Sequence, residues 1–174
     1  MVGTFALVPQ VADAVDVPVL AAGAVMDGRG LAAALALGAA GVLMGTRFLL
    51  ALESGVFPAY RRALLAATEV DTVVSSAPTG RPARSIRNRL TAALGDDYAP
   101  LSYPLQGAAA MDIFMAAMGA DDGDRFPLWA GQGLRLATRE QPAADIVATV
   151  VADAAAILGR HPGVEVDVPA TTLP

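Results

Sequence analysis

The chain has 174 residues, a net charge of −5 and no cysteine. That length is typical of a single domain, and the acidic balance argues against a nucleic-acid partner. The absence of cysteine excludes disulfides, cysteine-based zinc sites, iron–sulfur clusters and thiol nucleophiles, and it suits a cytoplasmic protein. The N-terminus lacks a basic leader, so we expect no signal peptide. The longest uncharged run, residues 30–46, is interrupted by glycine, so we expect no membrane span.

Apolar residues at helical spacing predict a first helix over residues 5–16. Thr4 is the expected N-cap, and Pro9 is expected to kink or restart the helix. The apolar positions of this helix are Phe5, Val8, Val11, Ala12 and Val15.

Residues 18–50 predict a strand, a helix and a second strand. The apolar runs 18–22 and 41–45 are the strands, and the Ala/Leu-rich segment 31–38 is the helix, with Gly38 at the position just after its end. Strands this apolar are expected to be parallel and covered on both faces. Both strands end in glycine at their carboxyl ends, where ligands bind in α/β folds and where free backbone N–H groups can hold a phosphate.

The remaining sequence predicts further elements with a less regular middle. A helix is expected over residues 58–69, a strand over 70–76, and a turn followed by a basic helical segment over 77–94. A methionine-rich helix is expected over 108–119 and a long helix over 142–160. This βαβα order indicates a doubly wound sheet or a (β/α)8 barrel, although two strands alone cannot close a barrel.

Several segments, in order along nearly the whole chain, resemble nitronate monooxygenase, also called 2-nitropropane dioxygenase. The segments are TFALVPQVADAV, AAGAVMDGRG, LALGAAGVLMGTRF, GRPARSIRN, PLQ and WAGQ. The resemblance implies an FMN enzyme that oxidises alkyl nitronates with O2. It also implies a fold class of α/β type, the C-terminal part of a (β/α)8 barrel with an inserted lid.

The resemblance also assigns parts of the chain. Residues 1–66 would be the barrel portion with strands 7 and 8, residues 67–128 the lid, residues 129–160 the returning helix and residues 161–174 a tail. The implied FMN phosphate contacts are Gly23, Ala24, Leu43, Met44, Gly45 and Thr46. The family has a second glycine at the position of Ala24, whose methyl group restricts positive φ.

The family's catalytic histidine lies just before the GTFALVPQ helix, where this sequence has Met1. Strands 1 to 6 of the family barrel have no counterpart in it either. We therefore expect the chain to correspond to the C-terminal portion of such an enzyme, with no catalytic residue assigned and no turnover by itself.

Other conspicuous residues have simpler interpretations. His161, the only histidine, is expected at the surface, and the arginines at 81, 84, 87 and 89 on a solvated helix face or in lid ion pairs. Arg47 is expected to be solvated or bridging. Met111, Met115 and Met118 are expected in a core, as is Trp129.

Two further functions remain open. Related FMN-dependent enoyl-acyl-carrier-protein reductases share the AAGG-type and GTRF-type segments. Alternatively, the chain is a non-catalytic fragment that pairs, through exposed strand edges, with a chain supplying further strands.

Overall fold

The computed structural model describes residues 2–93 and 99–160, which have an α/β fold divided into two compact units. The first unit comprises the chain up to Leu43 and from Ala144 onward, and the second comprises Met44–Ala143. The boundaries predicted from the resemblance, after residues 66, 128 and 160, remain predictions. His161 and the predicted tail, 161–174, lie outside the described residues.

The helices and strands follow one another along the chain in a mixed order. They are α1 (Thr4–Ala12), β1 (Leu20–Ala22), α2 (Gly28–Ala36), β2 (Gly41–Leu43), α3 (Thr46–Leu49), α4 (Pro58–Ala66), β3 (Thr72–Ser75), β4 (Ala83–Ile86), α5 (Arg89–Ala93), α6 (Leu105–Gly119) and α7 (Ala143–Leu158). Short 3-10 helices occur at Glu69–Asp71, Gly123–Arg125 and Leu134–Leu136.

The βαβ unit predicted for residues 18–50 is confirmed in the first compact unit. Strands β1 and β2 are parallel, with Ala22 opposite Leu43, and α2 connects them. The carboxylate of Asp27 caps α2 by accepting hydrogen bonds from the backbone N–H groups of Arg29 and Gly30. Gly38 has φ +91°, the left-handed conformation expected for a glycine just after a helix.

The expectation that both faces of this sheet are covered is wrong for the chain described. Ala21 is buried against Val8, Ala34 and Ala39. The opposite face carries Leu20 and Leu43, which are 52% and 58% exposed. The continuous apolar character of the strands therefore cannot be explained by burial among the described residues.

Helix α1 departs from its predicted capping. Gly3 is the N-cap, and the hydroxyl of Thr4 donates to the carbonyl of Ala22 at 3.1 Å, which ties the start of the helix to the end of β1. Pro9 lies inside a continuous helix. Val8 is the buried residue of the helix, whereas Phe5 is 75% exposed, so only part of the predicted apolar stripe is covered.

The second compact unit contains an antiparallel hairpin where a strand and a basic helix were predicted. Strand β3 pairs with β4, with Val74 opposite Arg84. The basic helical segment predicted after the turn within residues 77–94 is therefore wrong at Ala83–Ile86, which form β4, and holds only for the short α5. Gly80 has φ +86°, and the left-handed backbone there reverses the chain between the strands.

Helix α6 begins earlier than predicted and buries different residues. Phe114 and Ala117 are buried on it, while Met111, Met115 and Met118 are 49%, 54% and 37% exposed. The prediction of a methionine core is therefore wrong, because the buried face of the helix is set by Phe114 and not by the methionine spacing. Within the described residues, no helix is long and apolar enough to cross a membrane.

Candidate functional site

The backbone turns sharply where β1 ends. Gly23 has φ +109° and Ala24 has φ +60°. A Cβ atom at Gly23 would lie 2.7 Å from the Thr4 hydroxyl oxygen, so glycine is required there both by backbone conformation and by space. An alanine in the left-handed region is uncommon, because its Cβ crowds the following carbonyl group. The structure therefore places a strained alanine where the family resemblance expects a second glycine.

The end of β2 brings Leu43 to the same edge of the sheet as Ala22, its register partner. Of the six predicted phosphate contacts, Gly23, Ala24 and Leu43 belong to the first compact unit. Met44, Gly45 and Thr46 belong to the second.

Gly45 has no structural requirement for glycine in the described chain. Its φ and ψ are −90° and −70°, which any residue can adopt, and a Cβ atom built on it meets no atom within 4 Å. Within residues 2–93 and 99–160, the backbone N–H groups of Gly45 and Thr46 donate no hydrogen bond. Gly45 and Thr46 therefore offer backbone N–H groups without an acceptor beside open space, and a phosphate group requires this combination.

The side chain of Thr46 is fixed by a distant segment. Its hydroxyl oxygen accepts a hydrogen bond of 2.9 Å from the backbone N–H of Gly131. Gly131 belongs to the WAGQ segment, Trp129–Gln132, one of the motifs of the resemblance. Two predicted motifs, 85 residues apart along the chain, are thus joined directly.

A cavity of about 570 Å³ adjoins these residues within the second compact unit. Gly45, Thr46 and Gly131 line it, and so do the aromatic side chains of Phe57, Tyr60, Phe126 and Trp129. A cavity of this size and apolar character is typical of small-molecule sites.

The aromatic wall of the cavity is organised around Phe126. Its ring centroid lies 5.0 Å from that of Phe57 in an edge-to-face arrangement, and 6.0 and 6.1 Å from those of Tyr60 and Trp129. Sequence analysis did not identify Phe126, because it follows an acidic loop and has no periodic apolar neighbours. Trp129 is 38% exposed and lines the cavity, so the prediction of a core anchor is wrong.

Tyr60 links the aromatic wall to the WAGQ segment. Its ring is buried, and its hydroxyl donates to the backbone carbonyl of Trp129 at 2.5 Å. Burial raises the pKa of this phenol well above its ordinary value, because the phenolate would be poorly solvated there. Tyr60 therefore acts as a neutral hydrogen-bond donor that holds the position of Trp129.

Two arginines of this unit differ in their surroundings. Arg47 is buried, which corrects the solvated alternative, and it bridges the Arg139 carbonyl and the Gln141 side chain. Burial, followed by the nearby charge of Arg139, lowers the pKa of Arg47. Arg84 lines the cavity from β4, and its guanidinium donates to the Thr72 hydroxyl at 2.9 Å.

The cavity lining supplies binding groups and not an acid–base pair. Among the residues that the structure describes, the lining contains hydroxyl groups from Thr46 and Tyr60 and the cation of Arg84, but no carboxylate and no histidine. The arrangement can hold an anion and an apolar body in place. No side chain in this described lining is suited to removing a proton near neutral pH.

Comparison with known proteins gives consistent results. A sequence profile of the nitronate monooxygenase family matches residues 1–153. A probable nitronate monooxygenase of Staphylococcus aureus (strain MSSA476) is 42% identical over 152 residues, which are 87% of this chain and 42% of that protein.

Two solved structures are also similar. One, described as nitroalkane oxidase from Streptomyces ansochromogenes, has a TM-score of 0.86 and 41% identity over 92% of this chain and 46% of its own. The other is FabK from Thermotoga maritima, with a TM-score of 0.78 and 33% identity over 92% of this chain and 51% of its own. The chain thus spans about half the length of the proteins it matches.

Proposed function

This chain belongs to the nitronate monooxygenase family, and from that membership we propose that it forms part of a flavin enzyme that oxidises alkyl nitronates with O2. We further propose that its own residues hold the phosphate of FMN. In that assignment β1, α2 and β2 correspond to strand 7, helix 7 and strand 8 of a (β/α)8 barrel, and residues 67–128 form a lid.

The fit of FMN rests on Gly45 and Thr46. The free backbone N–H groups of these residues, and the open space where a Cβ atom of residue 45 would lie, match the needs of a phosphate group. Met44 is a further proposed contact in the same unit, and the contacts implied by the resemblance at Gly23, Ala24 and Leu43 remain predictions. FMN, when bound, would supply the capacity to accept electrons and pass them to O2.

The described residues that line the cavity would bind and orient the ligand but would not move a proton. The Gly131 N–H fixes the Thr46 hydroxyl oxygen, so the backbone at Thr46 is held in one position before any ligand arrives. Pre-positioned donors of this kind bind an anion without the cost of ordering them at the moment of binding.

The experiment that tests the cofactor compares FMN with riboflavin, which lacks the phosphate. We expect the purified chain to quench FMN fluorescence saturably and to bind riboflavin at least about tenfold more weakly, as the loss of charge-assisted hydrogen bonds predicts. Gly45→Val should abolish this preference by filling the open space.

The matched control is Gly119→Val at the end of α6, where a Cβ atom likewise meets nothing within 4 Å. This variant should bind FMN as the unmodified chain does. Equal binding of FMN and riboflavin by the unmodified chain would contradict the phosphate site.

We propose that these 174 residues do not turn over nitronates by themselves. The resemblance assigns the proton-abstracting base to a histidine before α1, whereas the one histidine here is His161, beyond α7. Oxygen uptake with propyl nitronate, measured in the presence of FMN, should stay at the level of FMN alone. Uptake proportional to the protein concentration would overturn this proposal.

A second candidate is an FMN-dependent enoyl-acyl-carrier-protein reductase, favoured by the likeness to FabK. The match to the nitronate monooxygenase family and the higher identity to the nitroalkane oxidase structure support the first candidate instead. Reduction of bound flavin by NAD(P)H without oxygen, followed by reoxidation with a crotonyl thioester, would favour the reductase.

The exposed face of the β1–β2 sheet supports a third, non-catalytic proposal. Leu20 and Leu43 leave apolar surface on it, and a two-stranded sheet has open edges. We propose that this sheet pairs with a chain that supplies further strands. Sedimentation analysis of the chain should show concentration-dependent association, and Leu20→Lys with Leu43→Lys should suppress it. A monomer at every concentration would contradict the proposal.

A further inference from the structure

Arg47 is a buried cation that forms no ion pair with the residues that the structure describes. Only 6% of its surface is exposed. Its guanidinium donates to two neutral acceptors, the backbone carbonyl of Arg139 and the side-chain amide oxygen of Gln141. A buried charge is normally paired with an opposite charge, because an isolated ion is poorly solvated in a protein interior. Within the described chain, the positive charge of Arg47 is therefore uncompensated.

The charged residues near Arg47 in the fold do not neutralise it. Burial, and after it the charge of Arg139, lowers the pKa of Arg47, so the neighbour adds positive charge. The acidic residues nearest in sequence to these arginines have other partners. Glu140 pairs with Arg61 at 2.6 Å, and the carboxylate of Glu53 accepts a backbone N–H at the start of α7 at 2.9 Å. The charge of Arg47 is thus available to act on an anion that does not belong to the chain.

Gln141 holds the guanidinium of Arg47 in place. The backbone N–H of Gln141 donates to the Leu50 carbonyl at 3.2 Å, and its carbonyl accepts from the backbone N–H of Leu52 at 2.9 Å. These bonds belong to the parallel bridge between Ala51 and Gln141. A charge that is fixed in poorly solvated surroundings acts on a nearby anion more strongly than a mobile charge in water does.

We propose that Arg47 determines the preference of Gly45 and Thr46 for a ligand that carries a phosphate, by placing a fixed and uncompensated positive charge next to their backbone N–H groups. Arg47 follows these two residues directly in the sequence and does not line the cavity itself. It is therefore a positioning residue that acts through the phosphate segment and need not touch the phosphate. The inference rests on the proposed FMN phosphate site and adds to it a residue outside the six implied contacts.

Gln141→Glu separates the charge of Arg47 from the geometry around it, because glutamate keeps an oxygen acceptor and adds the missing carboxylate. The variant should resist urea at least as well as the unmodified chain, since a buried cation gains an opposite charge. Its binding of FMN, measured by quenching of flavin fluorescence, should nevertheless weaken at least about threefold, while riboflavin binding stays within about twofold. A purely structural role of Arg47 predicts unchanged or tighter FMN binding in this variant.

Gln10→Glu is the matched control, because it makes the same change in net charge and the Gln10 side chain donates to the Ala6 carbonyl of its own helix. It should leave FMN binding within about twofold of the unmodified chain. A second comparison substitutes Arg47 itself. Arg47→Lys keeps the charge and should keep most of the preference for FMN over riboflavin, whereas Arg47→Gln should lower it at least about threefold. This pair decides if Gln141→Glu fails to fold by circular dichroism.

The possible failures point to different conclusions. An unchanged preference for FMN in Gln141→Glu, or the same preference in Arg47→Lys and Arg47→Gln, would overturn the role of Arg47 while the phosphate site of the unmodified chain stands. FMN and riboflavin weakened equally in Gln141→Glu would also overturn it, because the cause would then be shape and not charge. Equal binding of FMN and riboflavin by the unmodified chain would remove the phosphate site itself, and the role of Arg47 with it.

Discussion

The hydroxyl oxygen of Thr46 accepts a hydrogen bond of 2.9 Å from the backbone N–H of Gly131, and this bond joins the proposed phosphate segment to the WAGQ segment. The bond is partly buried, so the Gly131 N–H has no full replacement by water when the hydroxyl is removed. The position of Thr46 therefore depends on a segment 85 residues away.

Thr46→Val should lower the free energy of unfolding by about 1 to 2 kcal/mol, because valine keeps the shape of threonine but leaves a partly buried N–H unpaired. Urea unfolding followed by circular dichroism measures the change. Thr46→Ser, which keeps the hydroxyl, is the control and should retain most of the stability. A Thr46→Val variant as stable as the unmodified chain would show that the bond does not hold the two segments together.

Ala24→Gly should stabilise the chain. Relief of the left-handed conformation of alanine, φ +60°, is worth about 1 to 2 kcal/mol and exceeds the extra entropy cost of glycine, about 0.5 to 1 kcal/mol. The same substitution inside α2, Ala33→Gly, should instead destabilise by about 1 kcal/mol. Urea unfolding measures both changes. A higher unfolding free energy for Ala24→Gly and a lower one for Ala33→Gly would confirm the strain at Ala24, and a loss of stability in Ala24→Gly would refute it.

The βαβ unit of residues 18–50 could be predicted from the sequence because the patterns that indicate it are local. The two apolar runs and the glycine after α2 each depend on a few neighbouring residues, and the strands and the helix form there, although α2 begins at Gly28 and not at residue 31. The strain at Ala24 was foreseen only through the family's glycine. Its φ could not be deduced from composition, because an alanine carries no signal for the left-handed region.

Long-range pairing explains what sequence reasoning missed. The sequence predicts a basic helical segment after the Gly/Pro turn, but pairing of β4 with β3 and with the Trp129 segment overrides that local preference. The aromatic wall was missed for the same reason. Phe57 lies about 70 residues before Phe126 and Trp129 in the sequence and meets Phe126 only in the folded chain.

Substitution by alanine should destabilise the chain at Gly23 but have little effect at Gly45. Gly23→Ala forces alanine to φ +109° and brings its Cβ atom within 2.7 Å of the Thr4 hydroxyl oxygen, so it should destabilise by about 1 to 3 kcal/mol. Gly45→Ala meets nothing within 4 Å at an ordinary φ and should stay within about 0.5 kcal/mol of the unmodified chain.

A double-mutant cycle separates the two causes at Gly23. In the Thr4→Ala background the contact with the hydroxyl is gone but the backbone strain persists, so Gly23→Ala should cost less there than in the unmodified chain. If Gly23→Ala lowers the unfolding free energy equally in both backgrounds, the whole effect is due to backbone strain at residue 23. A destabilising Gly45→Ala would mean that Gly45 is required by the fold, which would remove the main support for a ligand beside it.

Tyr60 should make the chain sensitive to alkaline pH. Burial raises the pKa of its phenol above the ordinary value of 10.0, so its contribution to stability is fully present below that pH and is lost as the pH rises further. At neutral pH, Tyr60→Phe should cost about 1 kcal/mol for the lost hydrogen bond to the Trp129 carbonyl. Between about pH 9 and pH 11, the unfolding free energy of Tyr60→Phe should fall less steeply than that of the unmodified chain.

Tyr103→Phe is the matched control for this prediction, because the Tyr103 ring is 53% exposed and lies under the Arg81 guanidinium, away from the cavity. That variant should follow the unmodified chain across the alkaline range. If Tyr60→Phe and the unmodified chain lose stability in parallel, ionisation of Tyr60 is not coupled to unfolding. The hydroxyl would then contribute only its bond to Trp129, and the cavity wall would hold its shape at high pH.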